Sequence, residues 1–294
     1  MTSKFTKPRL LILGGSSLLS FLWCDAVNEY FSIYLTKHIK DVNYLKYPSL
    51  PIKIDSLKSL TSSLKVHSID YVVNTIGLTS VEECESNHEK AYFLNSHLPG
   101  IIAKACLFSN TKLIHISTDH YFHNENKKHK ETDKVTLINV YSKSKYNGEL
   151  EVLSNNSSAL ICRTNFFGYG PPHKLSFSDW ILKAAKNQKQ ITLFNDVTIT
   201  PLSGKNLAIY SHKLLDLNAQ GIYNICSDDS ITKYDFGIKL CKHFGLKYKN
   251  IKSGSIVDRK DLIKRPKSMA LSNLKTIKKI NEKIGNIENQ IKSI

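Results

Sequence analysis

Short apolar runs alternate with helix-like stretches through the first half of the chain, and this alternation constrains the fold more than any other feature. The predicted strands are apolar along their whole length, and most are followed by a longer segment of helical character. Such strands are typical of a parallel sheet that is covered by helices on both faces. The pattern therefore predicts an α/β fold with a doubly wound sheet. Strands are predicted at 10–13, 31–35, 50–54, 71–74, 112–117 and 159–163, and helices at 18–30, 56–66, 82–106 with a break near Pro99, and 141–153.

The rhythm changes after residue 165, where a segment rich in glycine and proline follows. We interpret residues 1–165 as a doubly wound (Rossmann) domain and 166–294 as a smaller C-terminal α/β lobe. Segments at about 205–227 are expected to return to the main sheet. The lysine-rich end, from about Lys275, is interpreted as a solvated helix face. In this half, helices are predicted at 177–187, 207–217 and 233–244, and one buried strand at 221–226.

The composition limits the classes of partner. The chain of 294 residues has a formal net charge of +16, and nearly all of its basic residues are lysines. These lysines are spread along the chain instead of clustering on one helix, which argues against a nucleic-acid partner. A basic surface favours an anionic cofactor and a substrate that carries a diphosphate.

The cysteines and the apolar runs bear on location. Six cysteines are scattered without a CxxC pair or zinc-site spacing, so we expect free thiols and no bound metal. No apolar run reaches the ~18 residues of a membrane span, and the first residues lack the features of a signal peptide. We therefore expect a cytoplasmic protein that has no membrane partner.

The turn after the first predicted strand lies where a dinucleotide-binding domain holds the pyrophosphate. Glycines there let the backbone approach the phosphates, and the next helix supplies N–H groups and positive potential. Counted from Gly14, the GxxGxxG spacing requires glycines at the positions of Ser17 and Ser20. The Ser17 Cβ is expected to take up room near the pyrophosphate, and Ser20 to push the helix from the sheet. A strand, turn and helix capped by serine is the alternative interpretation.

The end of the second strand bears on the choice between NAD and NADP. An acidic residue there would bind the ribose 2′-hydroxyl and favour NAD. The chain instead has Thr36, Lys37 and His38, which suit a 2′-phosphate and favour NADP, with NAD as the alternative. Asp55, next to Ser56, is placed to bind the adenine amine, although a solvated helix cap would look the same.

Tyr141 and Lys145 form a Tyr-x-x-x-Lys pair on one face of a predicted helix. A nearby ammonium lowers the pKa of a tyrosine, which can then pass a proton to a carbonyl as hydride arrives. In a lysine-rich chain this pair could arise by chance. Its setting makes it specific, because Thr118 follows the preceding strand and Gly77 follows the one before, at the edge where α/β folds bind ligands.

Several segments form a longer pattern that runs in order along the chain, at 73–79, 115–119, 131–133, 139–145, 148–149, 163–165 and 265–266, followed by Ser268 and Leu271. In these segments the chain resembles the dTDP-4-dehydrorhamnose reductase (RmlD-like) family of extended short-chain dehydrogenases/reductases. The resemblance implies a catalytic triad of Thr118, Tyr141 and Lys145. It also implies a C-terminal lobe that holds a nucleotide sugar, with Arg265 at the diphosphate.

The remaining site residues follow from the strand ends and the resemblance. The family usually has tryptophan where this chain has Phe166, which leaves the sugar open. Substrate contacts are expected at Thr79, Asp119, Asn165, Phe166 and Arg265. Cofactor contacts are expected at Gly14, Ser16, Ser17, Leu18, Leu19, Thr36, Lys37, His38, Asp55, Ser56, Thr75, Ile76, Gly77 and Asn95, together with Tyr141 and Lys145.

The resemblance implies NADPH-dependent reduction of a 4-keto-6-deoxy nucleotide sugar, with Tyr141 as the proton donor. A nucleotide-sugar epimerase of the same superfamily is one alternative. A non-catalytic protein that binds NADP or a nucleotide sugar is another, suggested by the altered phosphate turn. Dehydration is disfavoured, because Asp119 is followed by His120 instead of the glutamate that a 4,6-dehydratase uses. The oligomeric state is left open, with a homodimer as one option because related enzymes often dimerise.

Overall fold

A computed structural model describes residues 7–36, 46–123 and 127–294. The predicted alternation of strands and helices is present, and the fold class is α/β, as predicted. The strands are β1 (Arg9–Leu13), β2 (Ser32–Thr36), β3 (Ser49–Leu50), β4 (Tyr71–Asn74), β5 (Lys112–Ile116), β6 (Leu160–Arg163), β7 (Phe166–Phe167), β8 (Ile191–Phe194), β9 (Thr198–Ile199), β10 (Leu202–Ser203), β11 (Gly221–Asn224), β12 (Ile231–Thr232) and β13 (Ile251–Gly254).

The described strands include one seven-stranded parallel sheet, in the order β3-β2-β1-β4-β5-β6-β11. The order reverses between β1 and β4, where Leu13 is aligned with Asn74. In doubly wound folds, ligands bind outside the carboxyl ends of the strands at such a reversal. β11 extends the sheet beside β6, with Gly221 aligned to Leu160.

Helices cover both faces of the sheet because its strands alternate their side chains between two cores. Leu10 and Ile12 of β1 face one core, and Leu11 and Leu13 face the other. The helices are α1 (Leu18–Val27), α2 (Leu57–Val66), α3 (Val81–Ser86), α4 (His88–Tyr92), α5 (Leu98–Ser109), α6 (Val140–Asn155), α7 (Phe177–Lys186), α8 (Gly204–Asp216), α9 (Lys233–His243), α10 (Leu274–Ile280) and α11 (Ile287–Lys292).

Two local predictions are wrong. The predicted strand at 50–54 shortens to the two residues of β3. The helix predicted at 82–106 breaks at Asn87, which ends α3 and caps α4, and not near Pro99. Pro99 lies in the first turn of α5, where a missing N–H costs nothing. The lysines of the lysine-rich end are exposed, and the same segment also buries Ile280, Ile287 and Ile291 against the rest of the protein.

Part of the chain after β6 builds a second, smaller core, which we call the second lobe, whereas α8, β11 and α10 pack on the central sheet. The strand pairs β7–β10, β8–β13 and β9–β12 frame the second lobe, and Phe167, Ile181 and Phe236 lie inside it with the inner face of α11. Within the described residues, no helix is both long enough and apolar enough to cross a membrane.

Candidate active site

A cleft of about 450 Å³ lies at the carboxyl ends of β1, β4, β5 and β6, where the strand order reverses. Residues just after each of these strands line it, together with Lys174, Phe177, Ile199 and Lys233 of the second lobe. A larger groove, of about 790 Å³, is lined by residues of α9, α11 and the segment before β12. None of the predicted site residues in the described chain lines that groove. The predicted residues that line the cleft are Ser17, Leu18, Leu19, Thr75, Ile76, Gly77, Thr79, Thr118, Asp119, Tyr141, Lys145, Asn165 and Phe166.

Thr118, Tyr141 and Lys145 come together in this cleft. A capping box between Asn139 and Ser142 fixes the start of α6, so Tyr141 and Lys145 point from its first two turns toward the end of β5. The Lys145 ammonium donates a hydrogen bond to the Ile116 carbonyl at 2.7 Å. The lysine is thereby anchored two residues before Thr118.

Burial has the largest effect on the pKa values of Tyr141 and Lys145. It raises the pKa of Tyr141, and the hydrogen bond with Thr118 only partly counteracts the effect. Burial also lowers the pKa of Lys145 to about 8, against the nearby Glu149 carboxylate, which raises it. Sequence reasoning expected an ammonium to lower the pKa of the tyrosine. In the structure burial raises that pKa instead, which favours the protonated phenol.

A buried ion pair supports the proton-transfer group from behind. Glu149 follows Lys145 by one helical turn, and its carboxylate oxygen lies 2.7 Å from a guanidinium nitrogen of Arg163. Both side chains are almost inaccessible, at 0% and 2% exposure. The Ser117 hydroxyl donates to the same carboxylate and also contacts the Tyr121 hydroxyl at 2.8 Å. This network joins the ends of β5 and β6 to α6, and therefore holds Thr118 against Tyr141.

The loop after β4 passes close to Lys145 because it contains a glycine. A Cβ on Gly77 would lie 3.1 Å from the Asn95 Oδ1 and 3.9 Å from the Lys145 ammonium. Asn95 itself is completely buried and does not line the cleft. Its side chain accepts from the Leu78 N–H at 2.8 Å and donates to the Ser144 hydroxyl at 3.0 Å. Asn95 therefore braces the loop against α6.

The phosphate turn is held by a cluster of hydroxyls. The Ser20 hydroxyl donates to the Gly14 carbonyl at 2.8 Å, and the Thr75 hydroxyl donates to the Leu13 carbonyl at 2.7 Å. The Ser17 hydroxyl lies 2.8 Å from that of Ser20 and 2.9 Å from that of Thr75. Ser20 is completely buried in this cluster, within a helix whose Trp23 lies in the core. The expected displacement of the helix by Ser20 is not seen.

The same cluster leaves specific donors facing the cleft. The Ser17 N–H is used within the turn, since it donates to the Gly14 carbonyl at 2.8 Å. Leu18 and Leu19 line the cleft at the start of α1, where helix geometry provides no carbonyl partner for the N–H groups. Gly14 has a φ of +86°, which disfavours any other residue at the turn.

Of the residues predicted for the adenosine end, Lys37 and His38 lie outside the described residues. Thr36, Asp55 and Ser56 are described, and none of them lines the cleft. The Thr36 hydroxyl is buried and accepts from the Gly14 N–H at 3.0 Å, so it stabilises the turn. Ser56 caps α2, and Asp55 beside it is exposed. Ser16 was predicted to contact the cofactor; its carbonyl oxygen lies 3.2 Å from the Nε2 atom of His173 in the second lobe.

The substrate half of the cleft lies between Thr118 and the second lobe. The Asp119 carboxylate accepts from the Asn165 amide at 2.8 Å. Burial raises the pKa of Asp119 to about 6. Arg265 does not line the cleft, because its guanidinium is ion-paired with Glu82.

Sequence reasoning missed part of the lining. His120 faces the Tyr141 ring edge-on at 5.2 Å between centroids, and burial lowers its pKa to about 3. The second lobe adds side chains that no motif marks, because lobe packing alone brings them here. The missed lining residues are Ile116, Ser117, His120, Thr164, Lys174, Phe177, Ile199 and Lys233.

Comparison with known proteins places the chain in a family. The sequence profile described as "RmlD substrate binding domain" matches residues 11–294. The probable low-salt glycan biosynthesis reductase Agl14 of Haloferax volcanii is 31% identical over 265 residues, which cover 88% of each chain. The spore coat polysaccharide biosynthesis protein SpsK of Bacillus subtilis is 27% identical over 246 residues, 81% of this chain and 80% of SpsK.

Solved structures agree on the fold. A dTDP-4-dehydrorhamnose reductase from Bacillus anthracis, solved in complex with NADP, superposes with a TM-score of 0.85 at 20% identity and covers 98% of each chain. The chain therefore belongs to the RmlD family of extended short-chain dehydrogenases/reductases and is an oxidoreductase of that class.

Proposed function

We propose that this protein uses NADPH to reduce the 4-keto group of a 6-deoxy nucleotide sugar. One observation carries the proposal: Thr118, Tyr141 and Lys145 converge in a cleft at the point where the strand order reverses. A phenol and a hydroxyl on one side of such a cleft suit a carbonyl oxygen that must be held and then protonated.

The chain's own residues supply the proton chemistry. NADPH, when bound, supplies the hydride. Thr118 orients the carbonyl oxygen, and Tyr141 transfers its phenolic proton to that oxygen as negative charge develops there. The raised pKa of Tyr141 suits a reduction, because the phenol keeps its proton until the alkoxide forms. The Lys145 ammonium then stabilises the phenolate, from its anchor on the Ile116 carbonyl.

The cofactor fits along the cleft from the phosphate turn to Lys145. The N–H groups of Leu18 and Leu19 would hold the pyrophosphate, and Gly77 leaves room for the nicotinamide ribose beside Lys145. Two observations support NADPH over NADH. The residue at the end of β2 is Thr36 and not an acidic residue, and the Bacillus anthracis enzyme was solved in complex with NADP.

The relatives support a nucleotide sugar as the substrate. Several are named dTDP-4-dehydrorhamnose reductases, and the names of Agl14 and SpsK refer to glycan and polysaccharide biosynthesis. Asp119, Asn165 and Phe166 would contact the sugar and the base on the side of the cleft away from the phosphate turn. The division at residue 165 and the cytoplasmic location stay predictions, and the homodimer stays one option.

Cofactor binding and turnover test this proposal together. Purified protein titrated with NADPH and NADH, followed by nicotinamide fluorescence, should bind NADPH more tightly. Addition of dTDP-4-keto-6-deoxyglucose or its C3,C5-epimerised isomer should then oxidise NADPH. Binding of NADPH without reduction of either sugar nucleotide would favour the non-catalytic binder, and sugar isomerisation without net oxidation of NADPH would favour the epimerase.

A further inference from the structure

Lys233 lies in the cleft but takes no part in the proposed hydride or proton transfer. We propose that Lys233 binds the diphosphate of the nucleotide-sugar substrate, and that it thereby contributes to substrate affinity from the second lobe. This inference rests on the proposed function, because it names the part of the substrate that the second lobe recognises.

The position of Lys233 is fixed by the backbone around it. β12 pairs with β9, and Thr232 at its end caps α9 by accepting from the Asp235 N–H at 3.0 Å. Lys233 follows as the first residue of α9, and its N–H donates to the Val197 carbonyl at 3.0 Å. The side chain is half-buried, and its ammonium lies 5.9 Å from the centre of the Phe177 ring. A lysine held this way reaches into the cleft instead of into bulk water.

The charged residues that line the cleft distinguish Lys233 from the other lysines there. Among the described residues, the lining contains the lysines Lys145, Lys174 and Lys233 and one acidic residue, Asp119. Lys145 is committed to the Ile116 carbonyl beside Tyr141. Lys174 belongs to the loop whose neighbouring His173 contacts the phosphate turn at Ser16. Lys233 is the cation of the substrate half.

A second cation acts on the same region. Both Lys233 and Arg265 help to lower the pKa of His120, after burial as the main cause. Burial lowers the pKa of Lys233 itself, while the nearby Asp119 carboxylate raises it and Arg265 lowers it further. Because Arg265 is ion-paired with Glu82, Lys233 is the cation of this region that faces the cleft.

The chemistry of the proposed substrate indicates which anion this is. A 4-keto-6-deoxy sugar is uncharged, so the negative charge of its nucleotide conjugate resides on the two phosphates. A partly desolvated ammonium gains most from a charged acceptor, because charge-assisted hydrogen bonds are about twice as strong as neutral ones. The diphosphate is therefore the group that Lys233 binds.

Ligand binding to the enzyme saturated with NADP⁺ tests the assignment without turnover. Isothermal titration calorimetry with dTDP, dTMP and thymidine, and with UDP and UMP in parallel, should show that Lys233→Met weakens diphosphate binding about 10- to 100-fold. Nucleoside binding and NADP⁺ affinity should not change. Lys233→Arg should retain most of the affinity, because arginine also binds phosphate oxygens.

Lys239→Met is the matched control, because Lys239 lies on the outer side of the same helix, where it pairs with Glu288 at 2.9 Å. It should leave every affinity unchanged. In turnover, Lys233→Met should raise KM for the sugar nucleotide far more than it lowers kcat. A Lys233→Met protein that binds dTDP and UDP as the wild type does would overturn the inference.

Two further results would also contradict it. If the wild type binds neither nucleoside diphosphate, no diphosphate site exists. If Lys233→Met weakens binding only of a UDP-sugar that carries a carboxylate, such as UDP-glucuronic acid, Lys233 recognises the sugar instead. Failure of the proposed function has a different signature, since it would appear as absent turnover by wild-type protein that still binds dTDP or UDP through Lys233.

Discussion

At the proton-transfer end of the cleft, side chains of the types expected from the sequence lie together and are supported by the buried Glu149–Arg163 pair. At the phosphate turn, Ser17 and Ser20 stand in place of glycines and are hydrogen-bonded to Thr75 and to the turn itself. The proton-transfer end needs particular chemical groups, so substitutions there would abolish the reaction. The phosphate turn needs a particular backbone conformation, which glycines or a cluster of hydroxyls can each provide.

The strongest test of the proton-transfer end is Tyr141→Phe, which removes one hydroxyl. We expect kcat to fall by about 10²- to 10⁴-fold, the usual contribution of a general acid. NADPH affinity should change little, because the phosphate turn and Lys145 are untouched and the Tyr141 ring remains. Tyr146→Phe on the same helix is the matched control, since its ring packs against Tyr121 and does not line the cleft. Stopped-flow NADPH oxidation measures both, and a fully active Tyr141→Phe enzyme would remove the proposed proton donor.

Loss of the buried Glu149–Arg163 ion pair behind the proton-transfer end should strongly lower the stability of the protein. Glu149→Gln leaves the Arg163 guanidinium buried without its counter-charge, so the free energy of unfolding should fall by about 3–5 kcal/mol. Glu151→Gln, at an exposed position of the same helix, should change it by less than about 0.5 kcal/mol. Urea unfolding followed by circular dichroism measures both variants. Equal stability of Glu149→Gln and wild type would show that the pair does not support this end.

The pH dependence of turnover should report Lys145 more than Tyr141. Burial lowers the pKa of Lys145 to about 8 and raises that of Tyr141. As pH rises through about 8 the lysine loses its proton and its charge, so kcat/KM should decline in proportion to the protonated fraction. Lys145→Arg should be slower but should lack this alkaline decline, because guanidinium does not titrate in this range. An unchanged decline in the arginine variant would assign it to another group.

The smallest effects are expected at the phosphate turn. Ser20→Gly removes a buried hydroxyl that donates to the Gly14 carbonyl, which should lower the free energy of unfolding by about 1 kcal/mol. Ser17→Gly should cost only a few tenths of a kcal/mol, because glycine is tolerated at a helix N-cap. NADPH affinity should remain near the wild-type value in the double variant. A large gain in affinity would mean that the serines impair the cofactor site.

The sequence was sufficient for the central sheet, because its strands are continuous apolar runs. It was insufficient for β8 and β13, which pair Ile191 with Ile251 across some sixty residues of chain. The break placed near Pro99 was wrong because proline is accommodated in the first turn of α5. Local composition therefore predicted the strands of the central sheet, whose apolar runs are recognisable without knowledge of the pairing partner. It did not predict strands that are defined mainly by a distant partner.

The candidate site shows the same limit. Thr118, Tyr141 and Lys145 lie on a strand end and a helix of the first domain, so spacing could bring them together. Lys233 and Phe177 begin helices of the second lobe, and only the packing of that lobe aims them at the cleft. The remaining predicted residues are of suitable chemical types, but partners elsewhere decide their roles: Thr36 braces the turn, Asn95 braces a loop and Arg265 pairs with Glu82.

A single-turnover reaction with deuterium-labelled cofactor tests the central claim most directly. Wild-type enzyme would be mixed with a 4-keto-6-deoxy sugar nucleotide and NADPH that carries deuterium at the transferred position of the nicotinamide. Mass spectrometry of the product should find one deuterium, located on the carbon that bore the ketone, and Tyr141→Phe should form this product far more slowly. NADPH oxidation without deuterium in the sugar, or a labelled product formed equally fast by Tyr141→Phe, would contradict the account.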